Sequence, residues 1–338
     1  MNITKPIHSA RRNLNMNSRT RFCTVFENNT ASENPGAFNR FIRTILMVAA
    51  VVLFNLPISA QAQPLHPDST YLIIRCDDIG MCHAVNAAAE QLFKQDFPLS
   101  VSVMFACPWY QEAVDMLQQY PHVSVGVHLT LNAEWKNYRW GPVLGREAVP
   151  SLVDSNGYFL PSRATFFANE PDINEIEREL RAQIDRAMNS GITIDYLDHH
   201  MGTAVQTREL RELVEALAKE YGLTISTYHG ERYSNLTYNA PLGTKTDSLV
   251  QHIRQLPPGL HLQVCHIGLD SEELRGMEDL NLFGLQQMSA HRQNELDALL
   301  SIRFHNVLHD HNIRLLSYRQ LVQRLGLDSM RRPQDVQY

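Results

Sequence analysis

The sequence predicts a single α/β domain, a parallel sheet curled into a closed or distorted (β/α) barrel. Two observations carry this. Short apolar runs alternate with longer amphipathic stretches between residues 70 and 326, and strands alternating with helices imply βα units on a parallel sheet. No Gly/Ser-rich or Pro-rich linker breaks that span, and one barrel of this length is ordinary.

Tyr71-Leu72-Ile73-Ile74 reads as a buried strand, and residues 84–93 as the helix after it. Residues 99–105 are strand-like, 110–119 helical, and 123–127 a third strand. The segment 132–169 has little regular pattern but holds Trp135, Tyr138, Trp140, Tyr158 and Phe159. A long loop of this kind after a strand is often functional. Residues 175–188 carry Ile and Leu at helical spacing, end before Gly191, and lead into a strand over 192–197. A helix over 208–221 closes at Gly222, and a strand follows over 223–226. The remaining elements are a helix over 247–255, a strand over 260–265, one helix over 292–308, a strand over 313–316 and a helix over 318–325. Residues 327–338 read as a polar tail.

The amino-terminal part differs. Residues 1–40 are polar and aperiodic, so disorder is expected there. Arg40 and Arg43 precede an apolar run over 45–54, and Ala60-Gln61-Ala62 follows. This is the layout of a secretory signal peptide cleaved after Ala62, and the run is too short to span a membrane. A secreted or periplasmic location is therefore expected, with no stable membrane span after cleavage.

The first 62 residues hold 7 Lys+Arg and 2 Asp+Glu, which leaves 23 and 34 and a formal charge of −11 for the rest. An acidic chain without a basic cluster is a poor nucleic-acid binder. Cys76, Cys82, Cys107 and Cys265 are widely spread, unlike a disulfide framework, and read as buried apolar residues with at most one oxidised pair.

Polar groups capable of chemistry fall at four strand ends. They are Asp77-Asp78-Ile79-Gly80, Gly126-Val127-His128-Leu129, Asp198-His199-His200 and Cys265-His266-Ile267-Gly268. Sheets and barrels of this class place their sites at the carboxyl ends of strands. Singly, Asp77-Asp78 could be a turn and His128 a core histidine. Two adjacent carboxylates on an extended chain also point opposite ways. Together, one carboxylate and two imidazoles suit a divalent ion with open positions. A second carboxylate and a further His would then serve as base and acid.

These motifs resemble the YdjC-like carbohydrate deacetylases, the ChbG/HpnK family, over about residues 70–326. The matching stretches are Cys76-Asp77-Asp78-Ile79-Gly80, Gly126 to Leu129, Asp198-His199-His200 and His266-Ile267-Gly268. Ile267 stands where the family has proline, and Met201-Gly202-Thr203 replaces a longer His-rich run. The resemblance implies a distorted, TIM-like (β/α) barrel that hydrolyses an N-acetyl group on an amino sugar. It implies one divalent metal ion, magnesium or zinc, held by Asp78, His128 and His200, with His199 the alternative to His200. It makes Asp77 the general base and His266 the general acid. Imidazole ligation predicts activity that falls below about pH 6.

Candidate substrate contacts are Trp109, Asn132, Trp140 and Arg292, with Trp135 a further aromatic. Arg292 and Glu295, one helical turn apart, either face the site or form a surface pair. Asn132 and Thr203 lie beside proposed ligands and could support them. The expected partner is an N-acetylated sugar or oligosaccharide, with a homodimer possible. The alternatives are another metallohydrolase on the same scaffold, a phosphoesterase or amidase, and an inactive carbohydrate-binding barrel.

Overall fold

The structure is a computed structural model that describes residues 64–282 and 284–333. The expected signal peptide and the last five residues lie outside the described residues.

The strands are β1 (Thr70–Ile79), β2 (Ser100–Val103), β3 (Ser124–Leu129), β4 (Tyr196–His199), β5 (Thr224–Ile225), β6 (Arg232–Ser234), β7 (Gly259–Cys265) and β8 (Arg314–Leu315). They form one parallel sheet in the order β5-β4-β3-β2-β1-β7-β6. β1 is central. One edge pairs with β7 from Thr70 to Cys76. The other is shared by β8, at Tyr71 and Leu72, and β2, from Arg75 onward. Among the described residues no ladder joins β5 to β6. The barrel is therefore a half-barrel, and this open side is its distortion.

Side-chain alternation sorts the strands into two faces. Leu72, Ile74 and Cys76 of β1 pack outward with Val101, Val125, Val127 and Leu197 in the larger core under the helices. Tyr71 and Ile73 point inward with Tyr196, Leu260, Leu262, Val264 and Tyr318 in a second, smaller cluster. The inward row of β1 thus runs Tyr71, Ile73, Arg75, Asp77. It is apolar at the amino end of the sheet and ionic at the carboxyl end. The helix Tyr318–Leu325 seals the amino end. Its first N–H groups, on Tyr318 and Arg319, donate to Ser100 Oγ at 3.0 Å and Ser124 Oγ at 3.1 Å.

Several expected elements are corrected. The single helix over 292–308 is two, Met288–Leu300 and Ile302–Asp310. Ser301 adopts φ −70°, ψ 140° between them, and its Oγ accepts from the Phe304 N–H at 3.1 Å, an N-cap that restarts the helix. β4 starts at Tyr196 rather than at residue 192. β6 was not anticipated: at three residues it is too short to show a period. The 132–169 loop contains a short helix, Arg163–Ala168, with a Ser162 capping box. The tail is tied down within its described part: the Arg331 N–H donates to Tyr228 O at 2.7 Å, and Arg332 pairs with Glu215. All four described cysteines are buried and unbridged.

Candidate metal centre and active-site cleft

The carboxyl ends of β1, β3, β4 and β7 open into a cleft of about 680 Å³, within the range of small-molecule sites. Alternation along each strand delivers the inward residues Asp77, His128 and His266 to it, with Asp198 buried behind His128. Asp78 is out of phase with that row. Its φ of 65° lies in the left-handed region, and the β1–β2 register shifts between Cys76 and Ile79. This local irregularity turns Asp78 back into the site, so both adjacent carboxylates reach one cleft. A positive φ at a non-glycine residue costs about 1–3 kcal/mol and persists where surrounding contacts enforce it.

Those contacts are ionic. Asp78 Oδ2 accepts from Arg292 at 2.6 Å. Asp78 Oδ1 lies 3.4 Å from His128 Nε2 and 3.2 Å from His200 Nδ1. The far nitrogen of each imidazole is held by a carboxylate. His128 Nδ1 is 3.0 Å from Asp198 Oδ1, and His200 Nε2 is 2.9 Å from Glu134 Oε2. Arg75 grips Asp77 through two bonds, of 2.7 and 2.8 Å, and also stands 3.1 Å from Asp198. Its remaining arm donates to Ser226 Oγ at 2.6 Å.

Burial alone would raise the Asp78 pKa, but Arg292 and the two imidazoles outweigh it and hold the carboxyl well below the usual range. Burial opposes charge on His128, yet Asp198 and Asp77 push it up to about 10. His200 is likewise opposed by burial and raised to about 9, by Glu134 and Asp78. His266 and His199 go the other way. Burial lowers both, His199 to about 3.

Asp78, His128 and His200 each offer a buried ligand atom to one point, and all such atoms lie within 4.8 Å of one another. The residues fit a divalent ion. Asp78 Oδ1 is buried without a hydrogen-bond donor, and each imidazole turns its carboxylate-bound nitrogen away from that oxygen. A carboxylate behind a ligating imidazole fixes its orientation and raises its basicity. A dication would also supply the positive charge that two imidazole protons otherwise bring. His200, not His199, is the histidine brought to Asp78, although His199 also lines the cleft.

The candidate substrate residues separate. Arg292 lines the cleft over the Trp135 ring, 5.9 Å from its centroid. Arg292 and Glu295 are both buried, so they are not a surface pair. Trp109, Asn132 and Trp140 are not among the residues lining the cleft. Trp109 is 37% exposed and packs beside His83, each at the start of a helix. Asn132 is buried, accepts from Thr203 Oγ1, and receives the Trp140 indole N–H on its carbonyl at 2.8 Å. Trp140 stands behind His200, with ring centroids 6.1 Å apart. These two residues brace the loop against a proposed ligand. Glu134, Tyr238 and Asp279 also line the cleft and were not singled out from the sequence. Only the placement of Glu134 in the loop after β3 hinted at a role.

A family model described as YdjC-like protein matches residues 71–310. The chain belongs to the YdjC-like family. Among curated relatives, a carbohydrate deacetylase of Thermoanaerobacter pseudethanolicus is 29% identical over 155 residues, covering 46% of this chain and 59% of that protein. This chain therefore spans less than two thirds of that relative's length. A carbohydrate deacetylase of Brevibacillus brevis is 25% identical over 267 residues, covering 74% of this chain and 99% of the relative. A solved structure from Enterococcus faecalis V583, described as a cellobiose-phosphate cleavage protein, shares the fold. It has a TM-score of 0.63 at 24% identity, covering 75% of this YdjC-like chain and 99% of that one.

Proposed function

We propose that this YdjC-like chain is a divalent-metal-dependent hydrolase that removes an N-acetyl group from an acetylated amino sugar or oligosaccharide. One observation carries the reading: the buried, donor-free Asp78 Oδ1 faced by His128 and His200, each backed by a carboxylate. The relatives named as carbohydrate deacetylases support the substrate class. Asp78, His128 and His200 would hold the ion. An ion there would polarise a carbonyl oxygen and lower the pKa of water.

The chain's own groups supply the proton transfers. Asp77, fixed by Nε and Nη2 of Arg75, takes a proton from the attacking water. The water oxygen bonds to the acetamide carbon and the carbon–nitrogen bond breaks. His266 takes up on its free ring nitrogen the proton that Asp77 drew from the water and gives its N–H proton to the departing nitrogen, so the products are acetic acid, released as acetate, and a free amine. Burial keeps His266 a neutral ring, with one N–H donor and one acceptor. Asp78 and Asp77 oppose that lowering without outweighing it.

The test is a screen of N- and O-acetylated glycans for acetate release, with and without chelator, beside metal analysis and a generic phosphate ester. Acetate release abolished by chelation is expected. Phosphate release alone would make the protein a different metallohydrolase. No stoichiometric metal and indifference to chelation would make it a binding barrel. Secretion or periplasmic residence is proposed with this reading, from the leader-like run over 45–54. No helix of the described residues is long and apolar enough to cross a membrane.

A further inference from the structure

We infer that the buried Lys245–Glu295 pair is a positioning device for His266, holding its backbone and its ring neighbour from beneath the cleft floor. The inference rests on the proposed role of His266 as proton donor. The helix Met288–Leu300 carries Arg292 and Glu295 one turn apart. Arg292 reaches Asp78. Glu295 is 2% exposed, and its Oε2 accepts from the His266 backbone N–H at 3.1 Å and from Thr237 Oγ1 at 2.8 Å. Lys245 is 1% exposed, with Nζ 3.7 Å from Glu295 Oε1. Its ammonium donates to Tyr238 O at 3.0 Å and to Thr237 O. The Tyr238 ring packs on the His266 imidazole, with centroids 5.1 Å apart. One ion pair thus grips His266 twice, through its own N–H and through Tyr238.

Stability alone gives no reason for this pair. Two buried charges cost so much desolvation that well-packed apolar residues are often as stable or more so. Positioning does give a reason. His266 stands just past the end of β7, where the ladder no longer holds it, and Ile267 follows without the fixed φ of a proline. Proton transfer is sensitive to placement: a shift of about 1 Å can cost about a hundredfold in rate.

Two charge-neutral double variants separate positioning from packing. Lys245→Met with Glu295→Gln keeps an acceptor for the His266 N–H. Lys245→Met with Glu295→Leu keeps the volume and removes the acceptor. On the oligosaccharide that the unaltered protein deacetylates, the Gln variant keeps the His266 N–H acceptor but loses the Lys245 hold on Tyr238, and should lose about threefold in kcat. The Leu variant should lose at least about tenfold in kcat with KM within about twofold. Metal content should be unchanged in both. Thr237→Val, which only loosens Glu295, should give the same split at smaller amplitude, and it keeps the test open if the Leu variant does not fold.

A folded Leu variant with near-normal kcat overturns the inference. So does a loss of kcat, KM and metal together, which a merely structural role would give. If the unaltered protein releases no acetate, the functional reading fails by itself. The inference is then read from the His266 ring resonance in histidine-labelled protein, assigned with His266→Gln. It should move in both variants, and further in the Leu variant than in the Gln variant. A ring resonance unmoved in both overturns it.

Discussion

Asp78 is the residue on which the site turns, and its backbone explains how two adjacent carboxylates share one cleft. An extended pair would send one of them into the outer core beside Cys76 and Ile79. The left-handed φ at Asp78 avoids this. On the proposed reading the neighbours divide the labour, which separates their substitutions. Asp77→Asn should keep metal and lose about 10²–10⁴-fold in kcat, as loss of a general base does. His128→Ala should lose metal by direct analysis. Asp198→Asn should fold and bind metal about 10–100-fold more weakly, because Asp198 orients the His128 ring. A fully active Asp77→Asn would sink the base assignment.

The imidazoles also set a pH dependence, at higher pH than the sequence suggests. Without metal, Asp198 and Asp77 overcome burial and raise His128 to about 10, and Glu134 and Asp78 raise His200 to about 9. A raised folded pKa stabilises the fold fully below the unfolded value, near 6.5, and that stabilisation is lost as pH climbs toward the folded value. Chelated protein should therefore lose stability from these groups across neutral and mildly alkaline pH. Metal displaces the same protons, so its contribution grows over the same window. The Tm gap between metal-loaded and chelated protein should widen from about pH 6.5 to about pH 8.5. A gap that narrows counts against imidazole ligation.

At the scale of elements, the glycines of the motifs have packing reasons. Gly126 pairs with Tyr196 across β3 and β4, and a Cβ there would stand 2.3 Å from the Tyr196 ring. That ring is buried inside the half-barrel, with its hydroxyl 2.9 Å from Ser102 Oγ. Gly126→Ala forces the ring or the strand aside and should cost about 1–3 kcal/mol, read as a lower Tm. His128, two residues on, should shift with the strand, so metal affinity should weaken as well. An unchanged Tm would mean that the ring has room to move. Gly268 serves the helix Met288–Leu300 similarly: a Cβ would meet Leu274 at 2.7 Å and Arg292 Cβ at 3.2 Å. The break in that helical region at Ser301 shows what periodicity misses. Apolar spacing runs through the junction, while the cap is a single hydroxyl.

The described domain is a half-barrel closed at one end by the helix Tyr318–Leu325. Tyr318 is fully buried, stacks on Tyr196 with centroids 4.4 Å apart and bonds Ser226 Oγ. Ser226 in turn receives Arg75, the residue that holds Asp77. The amino-end seal and the proposed base therefore belong to one buried network. Tyr318→Ala should destabilise by about 3–5 kcal/mol, as loss of a large buried aromatic does. Tyr318→Phe keeps the volume and should cost about 1 kcal/mol, the net worth of a typical buried hydrogen bond. Equal losses in thermal unfolding of the two would contradict a packing role for the ring.

The sequence by itself determined the alternation of strands and helices, the strand ends that carry Asp77, His128 and His266, and the family motifs. These are local patterns, with periods of two or 3.6 residues and a polar group at each strand end. Three-dimensional packing alone decided the rest. It turned Asp78 inward, chose His200 over His199, and sent Trp109, Asn132 and Trp140 out of the cleft lining. It brought Glu134 to His200 across 66 residues and Arg292 to Asp78 across 214. Such partners depend on strand order and sheet curl, which no short window contains. A residue's neighbours along the chain set which way it points, whereas the path of the sheet sets what it meets.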